Sequence, residues 1–149
     1  MSLTIRDATQ EDEAGWRDLW SQYLAFYKVD LADDVTAATW ARLMNPASPM
    51  SVRLAIKDGE MAGFAIHLSH PSTWVKNEDC YLEDLFLVER FRGHGIGRAL
   101  IDDLIELCRK NGWARLYWHT DEGNTTARKL YDTYVKTDGH VRYRMRISS

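Results

Sequence analysis

The stretch RFRGHGIGRAL, residues 90–100, sets Gly93, Gly95 and Gly97 on alternate positions, with Arg92 before them and Arg98 after. An apolar run, YLEDLFLV, leads into it, and a helix-like run, ALIDDLIELCRK, leads out. Glycines at a strand-to-helix turn let the backbone approach an anion closely, and the helix N-terminus adds unpaired N–H groups. The pattern therefore predicts a phosphate cradle. It is not a dinucleotide fingerprint, because the position three after Gly95 is Arg98 and the motif follows several strands instead of opening the fold. It is not a P-loop either, since Arg98 and Ala99 follow Gly97 where Lys and Ser or Thr belong. What remains is R-x-x-G-x-G, Arg92 to Gly97. A tight turn with glycines for geometry alone is the structural alternative.

Glu83 is a carboxylate inside the apolar YLEDLFLV. Period two puts it on one strand face with Tyr81, Leu85 and Leu87, and puts Asp84 on the other. The structural reading of a carboxylate so placed is a salt bridge to a nearby arginine. Asp84 is read as structural. His67 and His70 lie three apart in a strand and point to opposite faces, so no metal site is expected. Cys80 and Cys108 fit neither a zinc pair nor a disulfide scaffold and read as buried free thiols.

Elements must hold these residues in place. LTIRDAT predicts a first strand. Thr9 caps the helix after it, with Asp12 and Glu13 in a first turn where the helix dipole favours negative charge. Trp16, Leu19, Trp20, Tyr23 and Tyr27 recur at helical spacing, so that helix has a buried aromatic face. DDVTAATWARLMNP is a second helix, begun at Asp33 or Asp34 and stopped before Pro46. SVRLAIKDGEMAGFAIHLS is a hairpin turning at Asp58–Gly59. DCYLEDLFLV, mostly apolar, is a central fourth strand. Gly95 to Lys110 is the third helix, with Leu100, Leu104, Leu107 and Cys108 on one face and Asn111–Gly112 at its end. ARLYWHT is a fifth strand, NTTARKLYDTY a short helix capped by Asn124, and HVRYRMRI a closing strand. The order β-α-α-β-β-β-α-β-α-β, without repeat or linker, predicts one mixed α/β domain over residues 1–149.

Composition narrows the class. A chain of 149 residues, 45% apolar and 28% charged, suits one soluble domain with a real core. A net charge of −3 lacks the basic footprint of a nucleic-acid binder. No apolar run nears membrane-spanning length, and MSLTIRDATQEDE is too acidic for a signal peptide. A cytoplasmic protein with no nucleic-acid or membrane partner is expected.

YLEDLFLVERFRGHGIGRALI resembles motif A of the GNAT family of N-acetyltransferases, in which Q/R-x-x-G-x-G/A holds the pyrophosphate of acetyl-CoA. NTTARKLYDTY is similar to the motif B helix, N-x-x-A-x-x-L-Y. The likeness follows element order along essentially the whole chain and is most specific over residues 61–143. GFAIHLSHPSTW with YLEDLFLVERFRGHGIG resembles the spermidine/spermine and thialysine branch. CYLEDLF, RALI, LYWHTDEGNTTARKLYD and VRYR look closer still to the histone/D-amino-acid branch. Where relatives often have Gly-Phe soon after the motif B tyrosine, this chain has Gly139–His140, which implies a differently shaped acceptor wall.

The resemblance implies a central, mostly antiparallel sheet flanked by about four helices, whose fourth and fifth strands splay around pantetheine. It implies direct acetyl transfer from acetyl-CoA to a primary amine of a small molecule, such as a polyamine or an amino acid. A protein lysine or N-terminal acceptor, or a non-catalytic CoA-binding sensor, is the alternative. Cofactor contacts map to Leu85, Phe86, Leu87 and Val88, to the cradle Arg92, Gly93, His94, Gly95, Ile96, Gly97 and Arg98, and to Asn124 and Ala127. A backbone N–H near Leu85 or Phe86 then polarises the thioester carbonyl. An alkylammonium must lose a proton before it attacks, and in polyamine-type relatives the residue matching Glu83 is proposed to take it through water. Motif B supplies Tyr131, whose phenol matches an alkyl thiol well enough to protonate the leaving thiolate. Without the motif it reads as a core tyrosine. Tyr23, Tyr27, Asp30, Trp74, Trp118 and His119 are candidates for the amine pocket, since aromatic faces and a carboxylate suit a cation; core packing is the alternative for the aromatics. Relatives of this type commonly pair, and the closing strand offers an open edge, so a homodimer is expected.

Overall fold

The computed structural model describes residues 2–148. Among them the order is β1 (Leu3–Asp7), α1 (Glu13–Phe26), α2 (Asp33–Met44), β2 (Met50–Lys57), β3 (Glu60–Pro71), β4 (Glu78–Leu87), α3 (Ile96–Asn111), β5 (Arg115–Trp118) and α4 (Thr125–Tyr131). The chain forms two units, one reaching to Trp118 and one from His119 onward. The first holds a five-stranded sheet in the order β1-β2-β3-β4-β5. Neighbours are antiparallel except β5, which joins β4 in parallel. The apolar β4 is interior, as its sequence implies.

Helix α1 is entered through a 3-10 turn, Gln10–Asp12, in which the Thr9 N–H donates to Asp12 Oδ2 at 2.8 Å. Arg6 of β1 donates to the same carboxylate at 2.8 Å, and that ion pair pulls the Asp12 carboxyl down to about 2. Trp16, Leu19 and Trp20 of α1 pack with Trp40 and Leu43 of α2 onto Val52, Leu54, Phe64, Ile66 and Phe86. On the other side of the sheet α3 lays Ile96, Leu100 and Leu104 on Ala55, Ala62, Ala65 and Leu82. Small strand residues there leave room for the helix leucines, each worth roughly 1.5–3 kcal/mol when fully buried. Cys80 and Cys108 are buried and free, and their thiols neighbour each other between β4 and α3.

Two strand irregularities aim the site. Gly63 of β3 sits where β4 comes closest, and a Cβ there would run into the Phe86 carbonyl oxygen. In the β3–β4 ladder Ile66 faces Asp84 while His67 faces Leu82, so Glu83 is an extra, bulged residue. A bulge resets the alternation of side chains. Leu82, Leu85 and Leu87 all pack under α3, whereas Phe86 and Val88 pack under α1 and α2. The strict period-two face of Tyr81, Glu83, Leu85 and Leu87 is therefore broken, and Tyr81, opposite Leu68, lies on the face of Asp84 and Phe86.

The closing strand expected over HVRYRMRI is not formed. Alternation is a side-chain pattern, but a strand exists only where a neighbour completes its hydrogen bonds. Among the described residues no ladder includes this segment, and Val141, Tyr143, Met145 and Ile147 are exposed.

Candidate active site

After Leu87 a 3-10 turn, Glu89–Phe91, carries the chain to the glycines. Gly93 (φ 81°) and Gly95 (φ 79°) are left-handed, and Gly95 is the N-cap of α3. A Cβ at either position would meet no heavy atom within 4 Å, so conformation demands the glycines and the space above them is open. The first turn of α3 closes with Ala99 N–H donating to Gly95 O at 3.0 Å, and a helix begun there aims the N–H groups of its first residues outward. The 16 residues of α3 add the positive end of a helix dipole. His94 stands exposed between the two left-handed glycines, while Ile96 and Gly97 are buried in the first turn ahead of the exposed Arg98. No carboxylate occurs in residues 92–98, so the donor set fits a pyrophosphate. Arg92 donates from Nε to Leu87 O at 3.2 Å, with its guanidinium 5.3 Å from the Phe26 ring and 5.8 Å from the Phe86 ring. That cation joins the glycine turn to the aromatic cluster of α1.

Beside the turn, β4 offers backbone. Val88 N–H donates to Ala62 O at 2.8 Å, so alternation turns the polar groups of Leu87 and Leu85 toward the opposite edge. The ladder with β5 spans only Asp79–Leu82 against Arg115–Trp118. From Glu83 on, β4 has no strand partner on that side among the described residues. An extended ligand carrying amides matches such an edge.

The bulge separates two carboxylates. Glu83 is exposed. Asp84 accepts the Tyr23 hydroxyl at 2.7 Å, and burial pushes its carboxyl up to about 6 against the opposing pull of that bond. The Tyr23 phenol is itself pushed up, by burial first and then by the Asp84 charge. Sequence reading paired neither residue with the other. The only signal was the place of Tyr23 in the aromatic stripe, one turn before Tyr27.

In the second unit, Asn124 Oδ1 accepts the Ala127 N–H at 3.3 Å and caps α4, whose last residue is Tyr131. The motif B helix is therefore formed as its sequence implies. His119 opens this unit. Of the other pocket candidates, Tyr27 meets Tyr23 edge-on at 5.1 Å, and Asp30 is exposed after α1. Trp74 stands 85% exposed in the turn after β3. Trp118 packs under α3, on the sheet face opposite Tyr23. Thus Tyr23 and Tyr27 are brought together with Asp84, while Trp118 is not. Among the described residues no three His, Cys, Asp or Glu side chains cluster as metal ligands, and no helix is long and apolar enough to cross a membrane.

The parallel β4–β5 ladder thus ends at Leu82–Trp118, and β4 runs on alone to the left-handed glycine turn ahead of α3. The family model described as the acetyltransferase (GNAT) family matches residues 10–134. The chain is 33% identical to a D-amino-acid N-acetyltransferase of Saccharomyces cerevisiae, over 91% of this chain and 86% of that protein. It is 38% identical to a thialysine N-epsilon-acetyltransferase of Caenorhabditis elegans, over 58% of this chain and 56% of that one. Its fold matches AAC(6')-Iy in complex with the bisubstrate analog CoA-S-monomethyl-acetylneamine, with a TM-score of 0.83 at 22% identity, over 99% of this chain and 100% of that one. The chain belongs to the acetyltransferase (GNAT) family and is by class an N-acetyltransferase.

Proposed function

We propose that the protein transfers acetyl from acetyl-CoA directly to the primary amine of a small molecule, an amino acid or a polyamine. The observation that carries this reading is the pair of left-handed glycines, Gly93 and Gly95, opening onto free space at the head of α3 beside the unpaired edge of β4. Names of the relatives support a small-molecule acceptor: one acts on D-amino acids and another on thialysine. The pyrophosphate lies against the backbone of residues 92–98, with Asn124 and Ala127 of α4 near the cofactor. Pantetheine runs along Leu85 to Val88 and adds its amides to the open edge. Of the two backbone N–H groups expected to steady the oxyanion, at Leu85 or Phe86, that of Leu85 faces the open edge and serves as the amine attacks. Glu83 takes the ammonium proton through water. Tyr131 gives a proton to the departing thiolate. Tyr23, Tyr27, Asp30, Trp74, Trp118 and His119 are the proposed acceptor contacts, although Trp118 reaches the site only from the α3 face.

A ligand that binds only the native state raises its melting temperature by mass action. Acetyl-CoA at saturating concentration should raise the Tm, and Gly95→Asp should abolish the rise by setting a carboxylate where phosphate belongs. Thiol release with a panel of amines then reads the transfer. No rise in Tm for the folded wild type would remove the cofactor assignment.

A further inference from the structure

Arg92 stands one residue before the left-handed Gly93, yet its side chain reaches back to β4 and α1. Its Nε donates to Leu87 O at 3.2 Å, and the guanidinium lies 5.3 Å from the centre of the Phe26 ring and 5.8 Å from that of Phe86. Among the described residues no carboxylate pairs with it, so the two rings are what meets its charge. Phe86 packs under α1 and α2, while its neighbour Leu87 packs under α3. The cation therefore sits on the α1 face of the sheet, the face of Tyr23 and Asp84.

These contacts close on themselves. Phe26 meets Tyr27 edge-on at 5.1 Å, Tyr27 meets Tyr23 at 5.1 Å, and Tyr23 meets Phe86 at 5.7 Å, which returns to Arg92. Arg92 is thus the link between β4 and the last turn of α1. That turn ends with Lys28 N–H donating to Ala25 O at 3.1 Å and Val29 N–H to Leu24 O at 2.9 Å, with Lys28 left-handed at φ 56°. A lysine is strained where a glycine would be at ease, and Phe26 is 54% exposed, so this end of the helix is weakly held by its own chain. Tyr23, one turn back, is the member that donates to Asp84 at 2.7 Å.

We propose that Arg92 is a positioning residue for the acceptor: through Phe86 on one side, and through Phe26 and Tyr27 on the other, its side chain holds Tyr23 against Asp84 instead of serving the pyrophosphate. The proposal rests on the N-acetyltransferase reading of the same site, in which Tyr23 and Tyr27 are acceptor contacts. A guanidinium beside aromatic rings is drawn to their faces, and the Nε–H bond to Leu87 O fixes the plane of the fork. The pyrophosphate keeps the backbone N–H groups at the head of α3, which a change of side chain at Arg92 leaves in place.

The test uses Arg92→Met, which keeps the stem and removes the fork, Phe26→Leu, which removes the ring, and the double variant. Thiol release with 1,3-diaminopropane, spermidine and lysine reads the amine KM, and calorimetry reads the acetyl-CoA Kd. Each single change should raise the amine KM by roughly two- to fivefold and the Kd by less. The double variant should raise KM no further than either single one, because both remove the same contact. An unchanged KM in Arg92→Met, single effects that multiply in the double variant, or a Kd that rises more than KM overturns the proposal; the last result returns the side chain to the pyrophosphate. Amide exchange at Lys28 and Val29 in the free protein needs no substrate. Arg92→Met and Phe26→Leu should each speed it, and the double variant no further. If no amine is acetylated, the transfer reading fails and exchange decides the link by itself: faster exchange in Arg92→Met supports it, and unchanged exchange overturns it.

Discussion

Tyr23 of α1 donates its hydroxyl to Asp84 of β4 at 2.7 Å, just past the strand bulge at Glu83. Burial raises the Asp84 carboxyl from 3.8 to about 6, so the fold favours its protonated form. Its contribution to stability is fully present below about 3.8 and is lost as pH rises through about 6. Asp84→Asn keeps an acceptor for Tyr23 and removes the charge. The variant should be more stable than wild type at pH 7 by roughly 1–2 kcal/mol, after allowance for solvent screening, and equal to it near pH 3.5. Denaturant melts of both proteins at the two pH values measure this; a gap of the same size at both would refute the buried-charge account.

Glu83→Gln should cost activity mainly at low pH, where the acceptor amine most needs deprotonating, and should spare it at high pH. The pH profile of kcat/KM reads this directly. Should the low-pH loss follow Asp84→Asn while Glu83→Gln resembles wild type, the base is the buried carboxylate and not the exposed one.

Tyr131→Phe should lower kcat by about 10²–10⁴-fold with little change in acetyl-CoA affinity. The variant keeps the ring and removes the hydroxyl proposed to protonate the thiolate. Rapid-quench measurement of the chemical step, beside a titration with acetyl-CoA, separates the two effects. A near wild-type chemical step would make Tyr131 a packing residue.

His67 is 3% exposed, and among the described residues neither ring nitrogen has a hydrogen-bond partner. It packs near Trp113, with Asp7, Arg53 and Asp103 as the charges around it. Burial first, and Arg53 after it, lower its pKa from 6.5 to about 4, with Asp7 and Asp103 pulling the other way. A depressed histidine stabilises the fold above about 6.5, and that contribution is lost as pH falls through about 4. His67→Met should remove up to about 3 kcal/mol of the acid loss between those limits. Equal slopes of stability against pH for wild type and variant would exclude this origin.

The segment 140–147 alternates apolar Val141, Tyr143, Met145 and Ile147 with Arg142, Arg144 and Arg146, and the apolar set is exposed. A second copy that completed its hydrogen bonds would cover that set, and a homodimer is the expected solution state. Light scattering should give twice 17.3 kDa, and deletion of residues 140–149 should give a monomer. A 17.3 kDa particle for the full chain at all working concentrations would exclude the dimer.

Local chemistry was enough to place most elements and the left-handed glycine turn ahead of α3. Asp58 and Gly59 adopt the left-handed turn that their types favour, and Asn124 caps α4 because its side chain reaches only its own next turn. Gly93 and Gly95 were legible for the same reason: backbone conformation near a glycine is decided within a few residues. The bulge at Glu83 was not legible. An extra residue in β4 becomes visible only when β3 lies beside it, and the resulting change of parity decides which carboxylate meets Tyr23. Arg92, Phe26 and Phe86 come from a turn, a helix and a strand and meet only in the tertiary fold. The closing strand failed for the converse reason. Its alternation is a property of the sequence, but strand formation needs hydrogen bonds from a neighbour, and those belong to the tertiary or quaternary structure.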